Sequence, residues 1–491
     1  MKIVVIGAGL GGLSAACLLS SKGHDVLVIE SNKFPGGKMH EVEKRGFRFD
    51  TGPSLFTMPF VLDKLLHECG TTIENELTLL PLDPLCRYFF SDGTTFDNYL
   101  DKEKNELELK KFAPTEIKAY NSFLNKAKQI YDKTASAFIF NPLFDSADFS
   151  SLNPLDLMNI NAFSSVHKEV NKQFDSKYLR QFFKRFATYN GSSPYLAPGT
   201  LNVIPHVELN QGGYYVQGGI HSITEVLFNI AKQQGVKFKF NCGAKQIHCV
   251  NQVVKGVYNN KGKLYEADLV VANSDATYTY SKLLSKNVVS ARKRKRIKQV
   301  EPSSSGFVML LGVEKVYDQL KHHNVFFSSD YKHEFHQIFE DKVMPDDPTI
   351  YVANTSYSDP EHAPEGCSNL FVLVNAPYLS KRYKWKDHKR EIANQVVHIL
   401  EEKGLKNLKK NLVYRKIYTP KDFKDIYKSN KGSIYGTSSN SKLSAFVRPR
   451  NKSKEIKGLY FVGGSTHPGG GIPLVVQSAL NAAELIDRYE I

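Results

Sequence analysis

The stretch KIVVIGAGLGGLSAACLLSSKGHDVLVIE, residues 2–30, constrains the fold of this chain more than any other. Residues 3–6 are a continuous branched apolar run, the pattern of a strand buried on both faces. A G-x-G-x-x-G loop follows at once, at Gly7, Gly9 and Gly12. The first glycine permits a tight turn, the second lets backbone approach a diphosphate, and the third lets the next helix pack close to the strand. That helix points its unpaired N–H groups at the phosphates. Gly23 ends the helix and DVLVIE forms the second strand. Glu30 stands at its tip, 18 residues past Gly12, where a carboxylate accepts from ribose hydroxyls and repels a 2′-phosphate. The stretch predicts a dinucleotide-binding α/β unit and disfavours NADP, without choosing between NAD and FAD.

The next segment, SNKFPGGKMHEVEKRGFRFDTGPSLF (31–56), does not read as a further crossover unit. A second glycine turn, Gly36–Gly37–Lys38, places a cation just past the ribose acid, and an aromatic strand leads into DTGPS. Near the end of the chain, FVGGSTHPGGGIP (461–473) reads as a strand, a glycine loop and a helix beginning near Val475. No second G-x-G-x-x-G follows a strand, so a separate NAD(P)H domain is not expected.

These segments resemble the flavin amine oxidase and phytoene desaturase superfamily, and within it the bacterial carotenoid desaturases. The similarity also runs through FDTGPSLFTMP (49–59), FATYNGSSPYLAP (186–198), GGYYVQGG (212–219), VANSDATY (271–278) and SYSDPEHAPEG (356–366). THPGGGIP is its most specific part, and FDTGPSLFTMP looks more like the 1-hydroxycarotenoid 3,4-desaturases than the multi-step phytoene desaturases. The resemblance implies an α/β, Rossmann-like FAD-binding fold built from separated segments, about 1–70, 206–300 and 440–491. An α+β substrate and membrane-binding domain would be inserted at 71–205 and 301–439. It implies FAD held by Gly7, Gly9, Leu10, Gly12, Glu30, Gly37, Lys38, Pro53, Ser54, Leu55, Ile247, Asn273, Gly464, Gly471, Ile472 and Pro473. The two glycine loops would serve the two ends of one extended cofactor, the second reaching the flavin ring.

The implied reaction removes two hydrogens from adjacent saturated carbons next to a polyene. No side chain accepts a hydride, so the flavin must. The protein orients the bond, excludes water and supplies at most one proton acceptor. His467 in the second loop is the first candidate acceptor, then Glu208 and His206. Oxygen or a quinone would take the electrons onward. The alternatives are a multi-step phytoene desaturase, a flavin oxidase of an amine or porphyrinogen, and a flavin-bound carotenoid carrier. Twenty phenylalanines and tyrosines between Tyr88 and Tyr189 suggest aromatic walls for a rigid polyene.

Composition narrows the setting. The 491 residues are 41% hydrophobic, with no apolar run of spanning length, and MKIVVIG reads as a strand rather than a leader, so no signal peptide is expected. Six cysteines form no CxxC pair, which predicts neither a metal site nor a disulfide framework, and makes the cytoplasm the default compartment. The net charge of +15 is concentrated in RKRKRIK (292–298) and KRYKWKDHKR (381–390). With no nucleic-acid motif, that charge and Trp385 among its lysines suggest peripheral docking on an anionic membrane, where a lipid-soluble substrate would be found.

Overall fold

The computed structural model describes residues 1–145, 148, 164–441 and 448–491. The first strand, Lys2–Ile6, lies at the centre of a five-stranded parallel sheet. The order is Leu459–Phe461, Leu269–Ala272, Lys2–Ile6, Asp25–Ile29, Lys237–Lys239. Ile3–Ile6 and Leu269–Ala272 are buried throughout, as a parallel sheet covered on both faces requires. Helices Leu10–Ser21, His221–Gln233 and Ile472–Glu490 cover one face through Leu13, Leu18, Leu227, Val476 and Leu485. An antiparallel meander, Ala244–Val250, Val253–Asn259 and Leu264–Glu266, covers the other through Ile247, Val254 and Val257. This is the Rossmann-like α/β layering expected from the first loop. Its C-terminal helix starts at Ile472, three residues before the position read from sequence.

A seven-stranded sheet stands beside it. Its order is Leu412–Tyr418, Ser305–Val313, Ser368–Ala376, Ile350–Asn354, His323–Phe326, Cys86–Phe89, Thr95–Asn98. Only the pairing of His323–Phe326 with Cys86–Phe89 is parallel, and it joins strands more than 200 residues apart. Ser305–Val313 is buried at every position, in keeping with its unbroken apolar sequence.

Two expectations change. The aromatic-rich stretch builds mainly a core. Helix Lys177–Arg185 buries Leu179, Phe182 and Phe183 at helical spacing. Phe183 packs 4.4 Å from Phe123, and Phe182 stands edge-on to Tyr88 at 4.9 Å. Among the described members of the twenty, Phe138 and Tyr189 line the central cavity; Phe149 and Phe163 lie outside the described residues. Trp385 is not a surface anchor either. It is 4% exposed and packs against Tyr383, with ring centroids 5.0 Å apart. It opens helix Trp385–Glu402, whose apolar face covers the second sheet, so the lysines around it point outward while the indole points in. Among the described residues, no helix is long and apolar enough to cross a membrane.

Candidate active site

Carboxyl ends of parallel strands gather at one edge of a sheet, and loops leaving there form the ligand crevice. Here Ile6 delivers Gly7, Ile29 delivers Glu30, Ala272 delivers Asn273 and Phe461 leads to Gly463 and Gly464. All of these loops open on one cavity of about 940 Å³, which continues between the two sheets.

Sterics at the glycine end are tight. A Cβ on Gly12 would stand 2.0 Å from the Gly7 carbonyl oxygen, and one on Gly9 would stand 2.8 Å from the Asn273 amide. The first loop also touches the second glycine turn: Gly36 N–H donates to the Ala8 carbonyl at 2.8 Å. Glu30 is buried. Its Oε2 accepts from Ala8 N–H at 2.8 Å and its Oε1 from Asn32 N–H at 2.7 Å. With the Asn273 amide oxygen facing the loop, it accepts from Gly9 N–H at 3.2 Å and Gly12 N–H at 3.3 Å. Helix geometry leaves the first-turn N–H groups of Leu10 and Gly11 without intrahelical partners, and both residues line the cavity.

Of the sequence-derived cofactor residues, Gly7, Gly9, Leu10, Glu30, Gly37, Lys38, Pro53, Ser54, Leu55, Asn273, Gly464, Gly471, Ile472 and Pro473 all line this cavity. Gly12 and Ile247 do not. Gly12 sits under the loop, against Gly7. Ile247 is fully buried in the apolar layer beneath the meander, and Gly243 and Ala244 at the start of its strand reach the cavity instead. Their place beside Glu30 at the ribose end is the signal that three residues of strand register hid.

Lys38 and Arg448 are two of the cations that line the cavity. Lys38 Nζ donates to the Ile434 carbonyl at 2.8 Å; its accessible surface faces the cavity, and burial pushes its pKa down to about 8 while the nearby Asp275 opposes the shift. Asp275 itself is raised by burial and caps the next helix by accepting from Thr277 N–H at 2.8 Å. Arg448 was not singled out from the sequence. Burial pushes it down to about 10, its Nε has no partner, and one Nη donates to the Pro468 carbonyl in the second loop. A diphosphate and an electron-accepting ring of FAD fit this set: unpaired amides and close glycine backbone at one end, a ribose acid, and a half-buried guanidinium with no carboxylate partner among the described residues at the other.

The proton-acceptor candidates separate. His467 does not line the cavity. Its ring Nε2 donates to the Asn141 carbonyl at 2.9 Å and its N–H to the Pro449 carbonyl at 2.8 Å, and burial holds it neutral with a pKa of about 4. His206 is turned toward Asn210 and Gln211, also away from the cavity. Glu208 does line it, with both oxygens occupied: Oε1 accepts from Arg185 at 2.9 Å and Oε2 from the Tyr189 hydroxyl. Nearby, Ser54 bonds the Tyr351 hydroxyl, which lies 2.7 Å from His323 Nδ1. Leu55, Leu201, Ile204, Val207, Val325 and Phe371 add apolar wall to this half.

The family model of flavin containing amine oxidoreductases matches residues 10–487. A 1-hydroxycarotenoid 3,4-desaturase from Flavobacterium sp. (strain P99-3) is 38% identical over 99% of both chains. A 4,4'-diaponeurosporene oxygenase from Staphylococcus haemolyticus (strain JCSC1435) is 35% identical over 100% of this chain and 97% of that one. Among solved structures, an engineered putrescine oxidase superposes with a TM-score of 0.68 at 13% identity, covering 99% of each chain. An oxidoreductase from Methanosarcina mazei superposes at 0.66 and 18%, covering 99% of this chain and 100% of that one. The chain belongs to the flavin containing amine oxidoreductase family and is an FAD-dependent oxidoreductase.

Proposed function

We propose that the protein is a carotenoid desaturase that introduces a C-3,4 double bond into a 1-hydroxylated acyclic or monocyclic carotenoid. The observation that carries this reading is the form of the cavity. One chamber joins the cofactor loops to an apolar half between the sheets, so an elongated hydrocarbon can lie against the cofactor with water excluded. The identity to a named 3,4-desaturase over nearly the full length supports the same class.

In this reading residues 1–70, 206–300 and 440–491 hold the cofactor, and 71–205 with 301–439 hold the substrate. Gly9, Leu10 and Gly12 frame the diphosphate, Glu30 the ribose, Ala244 the adenine, and Arg448 with Gly464–Pro473 the ring. FAD, when bound, supplies the hydride acceptor. Loss of hydride beside a polyene leaves a delocalised cation on the substrate, so the protein's task is orientation and removal of the neighbouring proton. Of the candidates, we assign that proton to Glu208, which lines the cavity and whose Oε2 would share it with the Tyr189 hydroxyl; His467 serves as a peg for the second loop. Oxygen or a quinone takes up the electrons.

A lipid-soluble substrate requires docking on the bilayer. Arg292, Lys293 and Arg296 on helix Ala291–Gln299 share a pocket of about 390 Å³ with Arg450, Lys452 and Lys454, and this is the surface we assign to anionic headgroups.

Product analysis in hosts making different carotenoids tests the assignment. A new C-3,4 double bond in a 1-hydroxylated carotenoid is the expected result. Lycopene from phytoene would make the chain a phytoene desaturase, and an oxygenated terminal carbon would place it with the oxygenases. Flavin binding with no product would make it a carrier.

A further inference from the structure

At one edge the cavity wall is made by two short segments. Thr57 and Met58 line it from the start of helix Pro59–Glu68, and Phe138 and Ile139 line it from the turn Ser136–Phe140. The same segments meet on the outside of the molecule. Phe60, two residues past Met58, is 49% exposed, and its ring centroid lies 6.0 Å from that of half-buried Phe140. Lys64, one helical turn further on and on the same face, is exposed too.

A lone exposed phenylalanine means little by itself. This one has the basic pocket for a neighbour. Arg450, which lines that pocket, donates to the Leu143 carbonyl and, at 3.0 Å, to the Phe144 carbonyl. Lys454 of the same pocket stands over the Phe144 ring, 5.3 Å from its centroid. The acids of this edge, Asp145 and Asp148, are paired with Arg488. Cations and exposed aromatic surface thus lie side by side. That combination seats a protein in the interface of an anionic bilayer, with its apolar side chains below the headgroups.

A long hydrocarbon that crosses water exposes apolar area along its whole length. An uptake route therefore has to join the acyl region to the cavity directly. Residues 57–60 and 138–144 supply both ends of such a route, cavity lining on the inside and aromatic rings on the outside.

We propose that the lipophilic substrate enters from the bilayer between residues 57–60 and 138–144, with Phe60 and Phe140 among the acyl chains and the basic pocket on the anionic headgroups. The inference rests on the membrane-docking reading and deepens it by naming the entrance.

Trp385 is the only tryptophan of the chain and is buried, so wild type gives a baseline that lipid does not quench. Phe60→Trp places an indole at the proposed entrance. The full-length, FAD-loaded variant is mixed with phosphatidylglycerol vesicles brominated on the acyl chains near the headgroup. The introduced indole should lose about half of its emission, since interfacial side chains reach this depth. Phe60→Asp, at the same exposed position, should keep its flavin and float about tenfold less well with these vesicles. Flotation without quenching of the introduced indole, or full flotation of Phe60→Asp, overturns the entrance and leaves docking through the basic pocket intact. A wild type that does not float with the vesicles overturns both.

Discussion

One methyl group distinguishes the glycines of the first loop. At Gly12 a Cβ meets backbone, the Gly7 carbonyl oxygen at 2.0 Å, and only separation of helix from strand relieves it. At Gly9 it meets the Asn273 amide, the end of a side chain that can turn. Gly12→Ala should therefore destabilise the apoprotein by about 3 kcal/mol, seen as a lowered Tm. Gly9→Val should retain more of the stability and lose flavin, read from the ratio of visible to ultraviolet absorbance. Equal Tm loss in the two would contradict this ranking. Arg448 makes the complementary case. It is a half-buried charge with no carboxylate partner among the described residues, and an anionic cofactor supplies one. Arg448→Met should raise the Kd for FAD about tenfold or more while the apoprotein holds or gains stability; unchanged FAD titration would remove the residue from the site. The two residues also show what a sequence discloses. Gly12 is legible because its role is local, five residues from its partner. The pairs Arg185–Glu208 and Ser54–Tyr351 are 23 and 297 residues apart, and only folding brings them to one wall.

At the scale of elements, one amide ties the second glycine loop to the strand before it and the helix after it. Asn451 is fully buried, and its Nδ2 lies 3.1 Å from the Phe461 carbonyl, 2.9 Å from that of His467 and 3.3 Å from that of Ser478. Strand, loop and C-terminal helix thus share a single donor group. Asn451→Leu should cost about 2 kcal/mol by leaving these carbonyls unpaired, and flavin content should fall with it. Asn451→Asp should be worse, because a carboxylate cannot donate and faces three oxygens. A thermal melt of the two variants decides; Asp tolerated as well as Leu would mean that the carbonyls are paired otherwise. The sequence pointed to this loop through its glycines and drew attention to His467 as the polar residue within it. Structure gives His467 the same kind of task as Asn451, a bond across to Asn141. The density of Phe and Tyr between Tyr88 and Tyr189 likewise marked the stretch, but not which side chains face a ligand, because core and tunnel use the same residues. The strand–helix–strand unit at residues 2–30 followed from the first loop, whereas the seven-stranded sheet has no local motif at its parallel joint.

The whole molecule carries buried neutral histidines, and these fix a pH dependence. Burial lowers His322 to about 3 and His467 to about 4, from an ordinary value of 6.5. Below pH 6.5 the unfolded chain takes up protons that the folded chain refuses, so stability falls as the pH drops from 6.5 toward 4. The slope is about 1.4 kcal/mol per pH unit for each such group. Melting curves between pH 7 and 4 should show it, and His467→Gln, which keeps a donor for Asn141, should have the shallower slope; parallel slopes would contradict the assignment. The other property of this scale is charge. The +15 excess is not spread evenly. Arg292, Lys293, Arg296, Arg450, Lys452 and Lys454 line one pocket with Glu455 as its acid, and Arg448 lines both this pocket and the cofactor cavity. Burial and the charges of Arg296, Arg450 and Lys454 lower Lys293, a crowding that an anion relieves. Headgroup binding here would set the molecule on the bilayer beside its own chamber. Each basic residue near an anionic surface contributes about 1 kcal/mol, and the screening length shrinks from about 10 Å at 0.1 M salt to about 3 Å at 1 M. The protein should float with phosphatidylglycerol vesicles at low salt and be released at high salt. Arg292→Glu with Arg296→Glu, both at exposed positions, should weaken flotation by about tenfold or more and leave flavin content unchanged. Equal flotation of the double variant, or of wild type on neutral vesicles, would remove this pocket from the docking surface.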